Sequence, residues 1–251
     1  MNQKQGDKVI ITMLDSGIDT RLCYFRDDER DVPFNTDDLD HRKIVRYEAL
    51  ADTTDSNGGH GTHVAGILTG NALCNCKTRT GSTEGPKRAK IGNQSNAAFA
   101  NNSNTQNGSV LFSNNYFDDD NKRGVRFTKK GPDCYSEFGF NNGCRCSASM
   151  YNGHAPNSKL YMVDGGLASD PTSLISNIDY KKILLKARQF HSKIMSNSWG
   201  FPPNKVGFRH MFDTIAYENP DVLLLFGAGN TRRMNDMYTP ANSKNCLAIG
   251  G

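Results

Sequence analysis

Short apolar runs alternating with helical periodicity constrain this chain more than any other feature. Lys8–Leu14, Lys43–Tyr47, Lys159–Val163, Lys193–Asn197, Val222–Phe226 and Cys246–Ile249 each read as a strand. They are apolar, mostly β-branched or aliphatic, and bounded by turn formers. His60–Gly70 reads as a helix of small residues, and Leu174–Phe190 as a second helix. Phe208, Met211, Phe212, Ile215 and Ala216 recur at the spacing of a helix with one buried face, and Pro220 stops it. The uninterrupted run Val222–Phe226 predicts a strand covered on both faces. Strands that alternate with helices demand crossover connections and a parallel sheet. The expected fold is therefore α/β and three-layered, a mostly parallel sheet with helices on both faces. In such sheets sites form outside the carboxyl ends of strands. Asp15, Asn197–Ser198 and Asn230 all follow strand ends, which is a reason to consider them together.

The remaining organisation follows from composition. With 251 residues the chain suffices for one large α/β domain or two small ones. Its charge of +4 comes from 30 basic and 26 acidic residues spread along the chain, which does not point to a nucleic-acid partner. No stretch approaches the roughly 20 apolar residues of a membrane span. The first residues, polar and then strand-like, carry no secretory pattern, and the compartment stays open. Three parts are expected: a first core segment 1–70, an insertion 71–152, and a second core segment 153–251. The insertion is rich in Asn, Gly and Ser and far longer than an ordinary loop. It reads as a β-rich or partly disordered excursion, with short strand candidates at Val110–Phe112, Tyr116–Phe117 and Val125–Phe127. Five of the seven cysteines lie within it, so a local cross-link or metal framework and a set of unpaired thiols are both open. The run Asp118–Asn121 reads as a solvated acidic turn, with a calcium site as the alternative.

A charged Asp at the end of a buried strand is costly unless paired. Histidine is the natural partner, because a carboxylate orients and steadies an imidazolium. His60 opens its helix behind Gly58 and Gly59, so its ring can face a cleft. Asn230 follows Gly229 and offers an amide donor suited to a developing oxyanion. Asp, His and Asn in this order suggest acyl transfer, given a nucleophile. Two histidines at i and i+3, His60 and His63, form the rival metal-binding reading, but no third ligand is placed beside them. His63 is expected to be a packed structural histidine. His41, His154, His191 and His210 are expected at the surface or satisfied.

At these residues the chain resembles the subtilisin-like serine proteases, the subtilases. The resemblance is carried by Ile11–Asp19 around Asp15, by Gly59–Gly66 around His60 and by Ala155–Val163. It continues through Ser196–Gly200, Gly227–Asn230, Tyr238–Ala241 and Leu247–Gly250. It covers everything except the insertion. It implies that Asp15 orients the histidine, that His60 is general base and then general acid, and that Asn230 donates to the oxyanion. It further implies that Ser198, Trp199 and Gly200 pair with an extended peptide, with Trp199 at a neighbouring subsite. Gly227, Ala228 and Gly229 would line the other wall of the primary pocket. A polypeptide substrate is implied, no cofactor for the chemistry, and room for a structural calcium whose ligands the sequence does not name.

The family's nucleophile motif, Gly-Thr-Ser-Met-Ala-x-Pro, is absent, and the chain ends at Gly251, about twenty residues past Asn230. Gly81-Ser82 and Gly108-Ser109 lie in polar, low-complexity surroundings before the substrate strand. The expectation is the first two-thirds of a catalytic domain, inactive alone because base and hydroxyl must be in reach of each other. The alternative is a non-catalytic, subtilase-like peptide-binding or regulatory module.

Overall fold

A computed structural model describes residues 6–73, 151–170, 173–230 and 237–250, with the backbone of 127–128 and 131–132. The elements in chain order are β1 (Ile10–Asp15), β2 (Ile44–Ala49), α1 (His60–Thr69), β3 (Phe127–Thr128), β4 (Gly131–Pro132), β5 (Lys159–Asp164), α2 (Tyr180–Gln189), β6 (Ile194–Asn197), α3 (Val206–Glu218), β7 (Leu223–Gly227) and β8 (Leu247–Ile249). Six strands form one parallel sheet in the order β2-β5-β1-β6-β7-β8. β3 and β4 pair antiparallel by themselves.

Period-two alternation sends successive side chains to opposite faces, and each face buries its own core. Ile11, Met13, Leu160 and Met162 pack on the face of α1, which contributes Val64, Ala65 and Leu68. Leu14, Tyr161, Val163, Met195, Leu224 and Phe226 pack on the other face against Ile183, Leu184 and Ala187 of α2 and Phe212 and Ile215 of α3. β2 has a register shift between Ile44 and Arg46, which interrupts the alternation and returns Tyr47 to the α1 face. The chain reaches β2 and β5 on one side of β1, then crosses to β6 on the other. α1 and α2, which lie in the two crossovers, occupy opposite faces. β1 is therefore at the switch point of the sheet, where the crevice at the carboxyl rim opens.

Two sequence expectations need correction. The second helix begins at Tyr180, not at Leu174. The Ile175 N–H donates to the Gly165 carbonyl at 2.7 Å, and Leu174 bridges Gly166. These residues are thus bound to the loop after β5, and the helix starts only where the Asp179 carboxylate accepts the Lys182 N–H. The second correction concerns β7. Leu224 and Phe226 are buried, but Leu223 is 47% exposed, so among the described residues β7 is covered on one face only.

The two ends of the proposed insertion lie side by side. The Ala72 N–H donates to Asn152 Oδ1 at 2.8 Å, and Asn152 Nδ2 to Asn71 Oδ1 at 3.3 Å. The Arg42 guanidinium ties the neighbouring chain together through the carbonyls of Cys23, Arg26 and Asn71. Cys23 is disulfide-bonded to a partner outside the described residues, and Cys246 is a free thiol. The other five cysteines, the acidic turn at Asp118 and the strand candidates before Phe127 also lie outside them.

Candidate active site

Asp15 is the last residue of β1 and has no solvent exposure. Its Oδ1 lies 2.6 Å from His60 Nδ1 and also accepts the Ser16 N–H at 2.8 Å. With Nδ1 facing a carboxylate, that nitrogen holds the proton, and Nε2 is left as the basic atom. The partner Oδ2 is buried with no hydrogen bond among the described residues. The two residues singled out first from the sequence are thus in direct contact, 45 positions apart in the chain.

Glycine makes that contact sterically feasible. Gly59 has φ +64°, a left-handed conformation that turns the chain into α1 at His60. A methyl group added to Gly61 would stand 2.1 Å from the carbonyl oxygen of Gly17. The first turn of α1 and the loop after Asp15 therefore touch backbone to backbone.

Side chains to which the sequence alone assigns no role lock this approach. Ser16 Oγ donates to Asp55 Oδ1 at 2.7 Å and accepts the Gly61 N–H at 3.0 Å. Asp55 Oδ2 accepts the Thr62 N–H at 2.8 Å, and Thr62 Oγ1 accepts the Asp19 N–H at 2.8 Å. Asp55 thus sits at the amino end of α1, where unpaired N–H groups and the helix dipole favour a carboxylate. An acidic residue just ahead of a helix start was the available signal. Nearby, the Tyr47 hydroxyl accepts the Ile18 N–H at 3.2 Å and donates to Asp164 Oδ2 at 2.7 Å. Asp164 is the register partner of Asp15 on β5.

The electrostatics follow from this crowding of acids in a dry place. Burial pushes the His60 imidazolium down, but the hydrogen bond and charge of Asp15, helped by the charge of Asp55, outweigh it. The net effect raises His60 above an ordinary histidine. Burial, together with the charge of Asp15, raises Asp55 against its hydrogen bonds from Thr62 and Ser16. Burial likewise raises Asp164 to about 8, with the charges of Asp52 and Asp55 adding to it.

The other sequence candidates follow strands on the same carboxyl rim. Asn230 is exposed, three residues past β7. Gly227 ends β7, Ala228 is half-buried, and Gly229 is exposed with φ +108°. Ser198 is half-buried and Gly200 buried. The side chain of Trp199 departs from expectation. It is 2% exposed and packs among Tyr180, Phe201, Phe212 and Phe226, with its indole N–H buried and unpartnered among the described residues. With Phe208, which contacts Tyr180 and Phe201, six aromatic rings form one cluster, so the indole fills the core beneath the rim. His63 also departs from expectation and is exposed. His41 is buried, its Nδ1 accepting the N–H groups of Lys43 and Ile44. His154, His191 and His210 are exposed. Among the described residues no three potential ligands cluster as a metal site would need.

A buried carboxylate thus holds an imidazole at the carboxyl rim of the parallel sheet. The sequence matches the subtilase family over residues 6–251, and the chain belongs to that family. Two relatives come from Dictyostelium discoideum. The serine protease/ABC transporter B family protein tagD is 22% identical over 255 residues, covering 98% of this chain and 10% of that protein. The similarly named tagA is 24% identical, with the same coverage. The chain thus spans about a tenth of the length of these relatives. Among solved structures, the psychrophilic subtilisin-like protease Apa1 from the Antarctic psychrotroph Pseudoalteromonas sp. AS-11 gives a TM-score of 0.49 at 14% identity, covering 97% of this chain and 36% of that one.

Proposed function

We propose that this chain supplies the base, the oxyanion donor and the peptide-binding edge of a subtilisin-like serine endopeptidase, and that the nucleophilic serine is not among its residues. The observation that carries the proposal is the 2.6 Å contact between Asp15 and His60. In the complete reaction His60 Nε2 takes the proton of a serine hydroxyl as that oxygen bonds to the scissile carbonyl carbon. Asp15 holds Nδ1 and steadies the imidazolium. The Asn230 amide donates to the carbonyl oxygen as it becomes an oxyanion. The C–N bond then breaks, and His60 returns the proton to the leaving amine. Water, deprotonated by the same imidazole, releases the acyl group. Ser198–Gly200 pair with the substrate backbone as an added strand. The names of the two relatives couple a serine protease with an ABC transporter, and the residues found here would serve the former.

The test uses the 251-residue chain, a fluorophosphonate and a set of labelled peptides. The proposal expects peptide binding without cleavage and without labelling. Specific labelling of any serine, Ser82 and Ser109 included, would refute the missing nucleophile. Absence of binding to every peptide would refute the peptide site.

A further inference from the structure

We infer that Tyr238 closes the primary pocket, so that the site takes peptides with glycine, alanine or serine before the scissile bond. The inference rests on the peptidase reading above, in which Ser198–Gly200 and Gly227–Gly229 flank that residue's side chain. The ring of Tyr238 occupies the space between these two walls. A methyl group added at Gly229 would stand 2.7 Å from Tyr238 Cγ and 2.8 Å from Cδ1. One added at Gly200 would stand 2.8 Å from Tyr238 Cβ and 3.1 Å from Cδ2. Both glycines thus lack a side chain just where this tyrosine packs, one from each wall, and Tyr238 is 5% exposed.

The backbone holds the ring in place from both sides. The Tyr238 N–H donates to the Ala228 carbonyl at 2.9 Å. The next residue, Thr239, exchanges two hydrogen bonds with Phe201, at 2.8 and 3.0 Å. Tyr238 is therefore tied to the Gly227–Gly229 wall through its own amide and to the Ser198–Gly200 wall through its neighbour. A large substrate side chain entering between the walls must displace a buried aromatic ring and lose its packing. A hydrogen, methyl or hydroxymethyl group needs no such displacement. The glycines that would admit a bulky residue in an open pocket are here taken up by the protein's own tyrosine.

The test compares labelled peptides that differ only at the residue before the scissile bond, alanine against phenylalanine, by fluorescence anisotropy on the intact chain. The alanine peptide is expected to bind at least about tenfold more tightly than the phenylalanine peptide. Tyr238→Ala is expected to reverse the order, and Tyr238→Phe to keep it. The ranking on the unaltered chain does not depend on any variant folding. If the phenylalanine peptide binds the unaltered chain as well as or better than the alanine peptide, the inference is overturned while the peptidase reading stands. If no peptide binds any of the three proteins, that reading fails and the inference falls with it.

Discussion

Asp15 and His60 make one short contact, but the charge acting on His60 comes from two acids. Asp15 holds Nδ1 directly, while Asp55 acts through space and through the amino end of α1. Replacing either should therefore lower the His60 pKa, and by different amounts. Asp15→Asn removes both the hydrogen-bonded charge and its field, and the imidazole should then titrate at or below an ordinary histidine. Asp55→Asn removes only the more distant charge and one of two acceptors, so the fall should be smaller. Histidine NMR titration of the two variants checks the order. A larger effect from Asp55→Asn would mean that the helix start, and not the carboxylate contact, sets the base. The raised pKa also sets a linkage. His60 contributes stability that is full below its unfolded pKa and is lost as pH rises through its higher folded value.

The helix that carries His60 is positioned by its glycines in three distinct ways. Gly59 needs its left-handed φ but has open space around a prospective side chain, so Gly59→Ala should cost about 1 kcal/mol through backbone strain alone. Gly61 has no room at all against Gly17, so Gly61→Ala must move α1 off the Asp15 loop and should abolish the raised His60 titration. Gly66 has an ordinary helical conformation and open space around a prospective side chain, so Gly66→Ala should stabilise by about 0.5–1 kcal/mol. Urea unfolding of the three variants gives the ranking, and a neutral Gly61→Ala would contradict the backbone contact.

These glycines also mark what could be read without coordinates. The strands were legible to within about two residues because buried parallel strands are local apolar runs. Asp15 stands at the end of such a run and His60 at the start of a small-residue helix behind Gly58 and Gly59, so both positions are visible in the sequence. Other features depend on contacts remote in the chain. The bond from Ser16 to Asp55 spans 39 positions. The late start of α2 is dictated by Gly165 and Gly166, which no periodicity in 174–179 reveals. Trp199 was placed at the substrate by its neighbours in sequence, whereas the aromatic cluster from α2, α3 and β7 draws it inward.

Across the molecule, two buried charges at opposite rims of the sheet predict a distinctive pH response. Asp164, at the carboxyl rim, is raised by burial to about 8, so the folded chain binds more protons than the unfolded one between about 4 and 8. Stability from this group is present at low pH and falls as pH rises through 8. Lys43, just ahead of β2 at the amino rim, donates to the carbonyls of Pro156 and Ser158. Burial, with the charges of Arg42 and Lys159, brings it down to about 7. Its contribution therefore improves as pH rises from about 7 to 10.5. Urea unfolding against pH should show Asp164→Asn gaining on the unaltered chain up to pH 8, and Lys43→Met losing ground above pH 7. Parallel curves for either variant would mean that its group titrates alike folded and unfolded.

The whole account depends on a carboxylate-held imidazole at the switch point of the sheet. Its most direct test is the NMR titration of His60 in the intact chain beside Asp15→Asn. The account predicts an imidazole above the ordinary histidine range, with a proton held on Nδ1, and the loss of both features in the variant. An ordinary titration that Asp15→Asn leaves unchanged would contradict it.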